Sequence, residues 1–431
     1  VPLKEKCVEF ICTDESWKAP HIARKLPALP IEVIERILLY LHRTERLTLE
    51  ALEFFKAFPV ETLFLSNIRA VEDTWLDVLK GYSSLTYLDL SNSYRITDTG
   101  LAECLKCMPQ LRSLFVDRCK RITDAGLAPL GTHCPNLRRV HVGGTMITYY
   151  ALAALNSLED LQDVSVNGTR FPDKALYTLL KRKEAPDSWA EEDYGEVRQL
   201  TDFQASRTLV RDDGVRLLKG LGASLHTLNL AFNPGIADWS FLGSLASLTH
   251  LDISLNVGFT DQFAADVGKL SSLTLLNLSK TELTDEGIPA LMELSQLRSL
   301  DVGKTAITHR ALGPGLAKLP NLTALSLPYT NVGGKFSRYL TVLHRLTSFK
   351  TTGLLELAKG RYPHLTALDV GCDQLTDSGL AHIGELAALR NFNMWNTKVT
   401  NQGAELVQQL TGLVLDDLMN TSQGTYLFVR K

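Results

Sequence analysis

A nine-residue pattern of leucines and small polar residues begins fourteen times along the chain, and it constrains the fold more than any other feature. It is clearest in LTYLDLSNS from Leu85, LRRVHVGGT from Leu137 and LRSLDVGKT from Leu297. Successive copies begin about 25 residues apart, a period typical of repeat proteins. The first, fourth and sixth positions are nearly always aliphatic or Phe, which predicts a short strand with one buried side. Each unit then packs on its neighbours, so 431 residues need not divide into separate globular domains.

The ninth position of this repeat frame is small and usually polar. It holds Ser93, Cys119, Thr145, Thr169, Asn233, Asn256, Thr281, Thr305, Thr330, Asp373 and Thr397. A side chain buried where a strand ends must satisfy backbone groups that the strand leaves unpaired. We therefore predict a polar ladder along the stacked turns.

A helix is predicted after each ladder position. In ITDTGLAECL from Ile96 and LTDEGIPALM from Leu283, the Thr-Asp pair predicts an N-cap, and a short helix then covers the strand. A strand and a helix in about 25 residues resemble leucine-rich repeats of the ribonuclease-inhibitor and cysteine-containing classes. The resemblance covers residues 60–412. It implies an α/β solenoid of horseshoe shape, with a parallel concave sheet, outer helices and an N-terminal helical cap.

Residues 1–58 lack the frame, so we predict a helical N-terminal region there and the solenoid over 59–431. The spacing from Leu161 to Leu200 is too long, and the surplus contains a Pro and several acids. We expect an insertion around 183–198 in which Asp187 to Glu196 are mobile or protrude, either as a disordered loop or as one that contacts substrate. The short spacing from Leu346 to Leu365 predicts a short helix.

The N-terminal region contains two motifs that resemble adaptor-binding boxes. The segment PLKEKCVEFI resembles the elongin-binding BC-box, and LPIEVIERI resembles a cullin-box of the cullin-2 type. The matching positions are Pro2, Leu3, Cys7 and Ile11 for the first box, and Leu29, Pro30, Val33 and Ile37 for the second. Both boxes ahead of leucine-rich repeats resemble substrate receptors of elongin B/C–cullin ubiquitin ligases of the ZYG/ZER type and, more loosely, the PRAME type.

This resemblance implies a non-catalytic substrate-recognition subunit that binds elongin C, elongin B and a cullin in the cytoplasm or the nucleus. The chain departs from the ZYG/ZER pattern because we identify no armadillo-like helical domain after the repeats in this sequence, so the substrate preference of those receptors is not implied. Two alternatives stay open. LPIEVIERILLYL also resembles the first helix of an F-box, which would imply Skp1, although the Cys-x-x-Trp ending of that motif is missing. The other alternative is a leucine-rich scaffold without ligase partners.

Composition and cysteine placement argue against a nucleic-acid-binding, membrane-spanning, metal-binding or catalytic protein. The net charge of −3 gives no electrostatic reason to expect nucleic acid or an anionic membrane as a partner, and no apolar run approaches the roughly 20 residues of a membrane helix. Seven cysteines in apolar segments favour reduced thiols. Cys104 and Cys107 form a C-x-x-C, but both have positions in a repeat helix, so we expect no metal. We also expect that the protein binds no cofactor and is not an enzyme.

Side chains between the frame leucines should face the open side of the sheet, where a protein or peptide substrate would bind. The predicted substrate-binding residues are Phe115, His141, Asn229, Asp252, Asn277, Asp301, Tyr329, Asp369, Asn393 and Trp395. Asp252, Asp301 and Asp369 with interleaved Asn form an acidic stripe flanked by aromatic residues. Such a stripe would complement a basic peptide or a free amino terminus. The alternative is a row of solvated polar side chains.

Overall fold

The structure is a computed structural model. It describes residues 3–12, 17–181, 197–332, 336–351, 362–370, 376–377, 386, 388–394, 399–400, 402–403, 414–418 and 426–429. The chain divides into two compact units, Val1–Leu217 and Leu218–Lys431, called here the first and the second unit.

Helices build the start of the first unit. They are α1 (Leu3–Cys12), α2 (Pro20–Ala23), a 3-10 helix (Leu26–Ala28), α3 (Ile31–Arg43) and α4 (Leu49–Phe55). In α3, Ile34, Ile37, Leu38 and Leu41 recur at helical spacing and are all buried. The side chain of Thr48 caps α4 by accepting a hydrogen bond from the N–H of Ala51.

Strands and helices then alternate through the first unit. Six strands lie side by side in sequence order, all parallel: β1 (Thr62–Phe64), β2 (Tyr87–Asp89), β3 (Ser113–Phe115), β4 (Arg139–His141), β5 (Asp163–Ser165) and β6 (Asp202–Gln204). Each strand covers positions three to five of a repeat frame. The helices that follow are α5 (Asp73–Leu79), α6 (Asp98–Leu105), α7 (Asp124–Leu127), α8 (Leu130–His133), a 3-10 helix (Tyr149–Ala151), α9 (Leu152–Asn156), α10 (Asp173–Lys181) and α11 (Asp212–Arg216).

Helix α3 covers the N-terminal edge of this sheet. The carboxylate of Glu35 accepts hydrogen bonds from the N–H groups of Glu61 and Thr62, both at 2.8 Å. These donors belong to the first strand and the residue before it, which have no preceding strand to bond. The predicted helical cap is therefore present, and it pairs donors of an edge that would otherwise be a template for aggregation.

The second unit repeats the arrangement with eight parallel strands. These are β7 (Thr227–Asn229), β8 (His250–Asp252), β9 (Leu275–Asn277), β10 (Ser299–Asp301), β11 (Ala324–Leu327), β12 (Ser348–Thr351), β13 (Ala367–Asp369) and β14 (Asn391–Asn393). The helices are α12 (Ala264–Gly268), α13 (Ile288–Leu291), α14 (His309–Gly315) and α15 (Ser337–Leu340), with 3-10 helices at Ser240–Ser244, Asp261–Phe263 and Leu316–Lys318. A further 3-10 helix, Leu217–Leu221, begins at the last residue of the first unit. Two further strands, β15 (Val414–Leu418) and β16 (Tyr426–Val429), pair antiparallel with each other, and β16 also pairs antiparallel with β14.

The predicted polar ladder is confirmed at most of the positions that the structure describes, while the buried hydroxyl of Ser93 has no hydrogen-bond partner among the described residues. The hydroxyls of Thr145 and Thr305 donate to the carbonyls of Val142 and Val302, both at 2.6 Å. Asn256 reaches further, since its amide donates to a carbonyl of its own turn and to Leu230 of the preceding turn, both at 2.9 Å. Asp373 and Thr397 lie outside the described residues.

The Thr-Asp pairs cap helices as predicted, and they also join neighbouring repeats. Thr123 caps α7 by accepting a hydrogen bond from the N–H of Ala125. Its own N–H and hydroxyl donate to the carboxylate of Asp98, in the first turn of the preceding helix. The same pair of hydrogen bonds links Asp73 to Thr97 in the first unit. In the second unit it links Asp261 to Thr284 and Asp285 to Thr308.

The two irregular spacings are only partly described. Residues 182–196, which include Asp187 to Glu196, lie outside the described residues, as do residues 352–361. Arg198, at the end of the predicted insertion, is buried and donates to the carbonyls of Leu155 and Asn156 at 3.2 and 3.1 Å. Among the helices of the described ranges, none is long and apolar enough to cross a membrane.

Candidate binding surfaces

Helix α1 packs on α3, and its described side chains differ in exposure around the helix. Val8 and Cys12 are buried, with 5% and 1% of their surface exposed, whereas Phe10 is 67% exposed. At 100° per residue, position 10 lies on the side of the helix opposite to positions 8 and 12. Ile11 is partly exposed. Pro2 and the side chains of Leu3 and Cys7 are outside what the structure describes, although positions 3, 7 and 10 have the i, i+4, i+7 spacing of a single helix side.

A groove of about 450 Å³ runs between α1 and α3. Val8, Leu39 and Tyr40 contribute to its lining, together with Glu5 and Glu9 from α1 and Arg36 and Arg43 from α3. Acidic groups therefore line one wall and basic groups the other. An amphipathic partner segment with mixed charge would complement this groove.

The residues of the predicted cullin-box differ in exposure. Pro30 is exposed just before the first turn of α3, while Leu29 and Val33 are partly exposed. Ile37 is fully buried in the packing of α3. Within this box, the first three positions are accessible to a partner, and Ile37 holds the helix that presents them.

Aromatic side chains follow one another across the solvent-facing side of the first unit's sheet. The ring centroids of Phe64 and Tyr87 lie 4.9 Å apart, those of Tyr87 and Phe115 5.0 Å, and those of Phe115 and His141 4.6 Å. All four residues are partly exposed. The sequence prediction included Phe115 and His141 but missed Phe64 and Tyr87.

A polar pocket of about 600 Å³ adjoins His141 at the ends of β3 to β6. The Nε2 atom of His141 lies 2.8 Å from Asp163 Oδ1, and its Nδ1 atom lies 3.9 Å from Asp117 Oδ2. Burial raises the pKa of the Asp117 carboxyl, and the negative charge of Asp89 adds to this effect. Arg118 also lines the pocket. These groups can hydrogen-bond a polar ligand.

The predicted acidic stripe of the second unit has a structural role of its own. The side-chain oxygens of Asn229, Asp252, Asn277 and Asp301 each accept a hydrogen bond from the N–H two residues further on, at 2.8 to 3.1 Å. Such Asx turns explain why Asp and Asn recur as the last residues of the strands. Asn277 Nδ2 also donates to Asp252 Oδ2 at 3.2 Å.

Further along the stripe, an ion pair offsets part of the negative charge. Lys350 Nζ lies 2.9 Å from Asp369 Oδ2, and both side chains are partly exposed. Burial raises the pKa of the Asp301 carboxyl. Asn393 is partly exposed on β14, whereas Trp395 lies outside the described residues. The stripe is therefore less negative than its sequence indicates, and its role in substrate binding stays a prediction.

In eleven copies the residue at the eighth frame position has a left-handed backbone conformation, which the repeat pattern did not predict. The residues, with φ between 53° and 66°, are Asn67, Asn92, Arg118, Gly144, Gly168, Arg207, Phe232, Leu255, Lys280, Lys304 and Tyr329. Bulky residues rarely adopt this conformation, which costs about 1–3 kcal/mol and often marks functional sites. Phe232 and Tyr329 are 46% and 48% exposed there, and Lys304 Nζ lies 4.5 Å from the Tyr329 ring centroid.

Cys12, Cys104, Cys107, Cys119 and Cys134 are free thiols. Burial raises the pKa of Cys12, Cys119 and Cys134 to about 12, and it raises that of Cys104 further. Cys107 is partly exposed. No group of three His, Cys, Asp or Glu residues in the described ranges is placed to hold a metal ion.

Comparison with known proteins bears on the fold. A family model described as Leucine Rich repeat matches residues 269–292. The chain folds as a leucine-rich-repeat solenoid. No curated protein sequence matches it.

Several solved structures are similar. An internalin from Listeria monocytogenes is 21% identical over 91% of this chain and 95% of that chain, with a TM-score of 0.47. A leucine-rich-repeat protein from Leptospira interrogans is 18% identical over 84% and 90%, with a TM-score of 0.43. A chain of the Rad7 and Elc1 complex from yeast is 21% identical over 85% and 98%, with a TM-score of 0.49. At these values the similarities carry no argument about partners.

Proposed function

We propose that this protein is a substrate-recognition subunit of a cullin-RING ubiquitin ligase. Helix α1 would bind elongin C, which brings elongin B, and the region before and within the start of α3 would contact a cullin. The solvent-facing sides of the leucine-rich repeats would hold the protein to be ubiquitinated. The protein itself would supply binding and no catalysis, acting in the cytoplasm or the nucleus.

The observation that carries this proposal is the exposure of Phe10. An apolar ring left in water forgoes a stabilisation of about 1.5–3 kcal/mol that burial would provide. Among the side chains of α1 that the structure describes, Val8 and Cys12 are the buried ones, so the opposite side, which carries Phe10, is available to a partner. That side belongs to the same ten-residue helix that carries the BC-box-like motif.

The cullin-box residues support the same arrangement. Pro30 and Val33 are accessible next to Leu29, while Ile37 anchors α3 within the unit. A cullin contact here would therefore be separable from elongin binding on α1. The changes Pro30→Ala and Val33→Ala together are expected to spare elongin binding and weaken recruitment of the cullin.

The test is adaptor selection by the purified full chain. Immobilised protein is incubated separately with purified elongin B/C and with purified Skp1, and the retained adaptor is quantified. Retention of elongin B/C supports the proposal. Retention of Skp1 alone would replace it with an F-box receptor, and retention of neither would leave a scaffold without ligase partners.

A matched pair of variants localises the contact. Phe10→Ala should reduce retention of elongin B/C at least several-fold. Met146→Ala removes a side chain of similar exposure, 59%, far along the sequence from α1, and should leave retention unchanged. An equal effect of both variants would argue that elongin binding does not use α1.

A further inference from the structure

Three aromatic rings flank one carboxylate on the solvent-facing side of the first unit's sheet. Asp89 is in register with Phe64 on one neighbouring strand and with Phe115 on the other. Tyr87 lies two residues earlier on the same strand, and therefore on the same side of the sheet. Its ring is 4.9 Å from that of Phe64 and 5.0 Å from that of Phe115. Phe64, Tyr87 and Phe115 are called the aromatic trio below.

The charge of Asp89 has no counterion in the part of the chain that the structure describes. Its Oδ1 atom accepts a hydrogen bond from the N–H of Ser91 at 2.9 Å, and no basic group of the described residues lies within 4.0 Å of its carboxylate. In the second unit, by contrast, Asp369 pairs with Lys350 at 2.9 Å and Asp252 accepts from the amide of Asn277.

The turn that follows β2, in which Asp89 accepts the hydrogen bond from Ser91, does not need a negative charge. Asn229 and Asn277 occupy the same frame position as Asp89, and their side-chain oxygens accept the equivalent backbone hydrogen bonds at 3.0 and 3.1 Å. A neutral amide therefore serves the turn equally well. The negative charge is left for another interaction, and its field also contributes to the raised pKa of Asp117.

One ring of the trio, that of Tyr87, already has a cationic side chain of the same chain beside it. The guanidinium carbon of Arg139 lies 5.8 Å from the centroid of the Tyr87 ring, and the Nε atom of Arg139 donates to Ser113 Oγ at 2.9 Å. Aromatic faces attract cations through their quadrupole, and the attraction grows when water is excluded. A second cation over the trio would gain this attraction and would also meet the carboxylate of Asp89.

We propose that the aromatic trio and Asp89 form a subsite for an arginine side chain of a bound protein. A guanidinium is planar, so it can stack on aromatic rings while its N–H groups donate to a carboxylate. An ammonium is compact and strongly hydrated, which makes it a poorer match to a stacked site. The inference rests on the proposed function in so far as the bound protein is the ligase substrate.

Binding of small peptides to the full chain tests the subsite. The probe is the N-acetylated, C-terminally amidated peptide Gly-Ser-Arg-Ser-Gly, titrated by NMR. Counterparts carry citrulline, which is a neutral analogue of arginine, or lysine in place of arginine, and a further peptide has a free amino terminus and no basic side chain. The arginine peptide should bind at least tenfold more tightly than the other three. Equal binding of the citrulline peptide would overturn the subsite, and equal binding of the lysine or free-amine peptide would overturn its assignment to arginine.

Two variants link the binding to the residues. Asp89→Asn keeps the acceptor for Ser91, so it should fold normally, and it should lower the affinity for the arginine peptide to that of the citrulline peptide. The control Asp202→Asn removes another partly exposed carboxylate from the same side of the sheet and should change nothing. Unchanged binding by Asp89→Asn would overturn the proposal. Retention of elongin B/C by Asp89→Asn is measured separately, so a failed adaptor test and a failed peptide test stay distinguishable.

Discussion

The carboxylate of Asp98 accepts two hydrogen bonds from Thr123, one from its N–H at 2.7 Å and one from its hydroxyl at 2.6 Å. Asp98 begins α6 and Thr123 caps α7, so the contact joins the helices of two successive repeats. An ionised acceptor makes both bonds stronger than neutral ones. Repeats of a solenoid are stabilised by such contacts between neighbours.

Removing this acceptor should destabilise the first unit. Asp98→Ala leaves two partly buried donors of Thr123 without a partner, and the expected loss is about 1.5–3 kcal/mol in the free energy of unfolding. Denaturant unfolding followed by circular dichroism measures it. The control Asp77→Ala removes an acid that is 65% exposed and pairs with Lys80 at the end of its own helix, so it should cost much less. Equal losses would mean that the inter-repeat bond is unimportant.

The glycine of the Thr-Asp-x-Gly motif should be required by the same contact. A Cβ atom on Gly126 would lie 2.6 Å from Asp98 Oδ1, so Gly126→Ala has to displace the carboxylate. Overpacking of this kind costs about 1–3 kcal/mol. In the Asp98→Ala background the clash with the carboxylate is gone, and the same substitution should cost clearly less. A double-mutant cycle of unfolding free energies tests this, and strict additivity would contradict it.

The sequence predicted the strands and ladders well because their signals lie within one repeat. Within one copy, the spacing of the apolar residues predicts a strand, and the small polar residue at the ninth position predicts a turn. The partner of Asp98 was missed because it lies in the next copy, so inspection of a single copy suggested only a helix cap. Comparing copies would have shown that each Thr-Asp pair can reach the next one.

The binding surface was harder to predict because one residue type can serve two purposes. Asp252 and Asn277 were expected to contact substrate, and the structure shows that they also form turns. The aromatic trio was overlooked because Phe64 belongs to a degenerate copy and Tyr87 occupies the third frame position. Strand pairing is what brings Phe64 next to Asp89 and beside the Tyr87 ring.

Cysteine reactivity should follow burial. A pKa of about 12 leaves Cys119 and Cys134 almost entirely protonated at pH 7.5, and both are inaccessible, so they should resist iodoacetamide in the folded chain. Cys107 is partly exposed and should be alkylated much earlier. Mass spectrometry of peptides after timed alkylation measures the order, with denatured protein as the control in which all three react. Early alkylation of Cys119 would show that the ladder is open to solvent.

Stability should depend on the ionisation of Asp117. Burial raises the pKa of this carboxyl in the folded chain, so the folded state binds the proton more tightly than the unfolded state does. Ionisation therefore costs stability as the pH rises through the folded pKa. Asp117→Asn keeps the acceptor for the N–H of Gly143 and cannot ionise. It should melt higher than the parent at pH 7, and the difference should shrink as the pH falls towards about 4, the ordinary range of Asp. A difference that stays constant with pH would contradict this account.

The most direct test of the proposed function is the affinity for elongin B/C, measured by calorimetry on the full chain. The parent is expected to bind, and Leu3→Ala with Cys7→Ser is expected to weaken binding about tenfold or more, since interface hot spots commonly cost about 2 kcal/mol when truncated. The melting temperature should stay nearly unchanged, because the predicted box lies outside the repeats. Normal elongin binding by the double variant, or unfolding of the whole chain, would show that α1 is only a cap and would contradict the account.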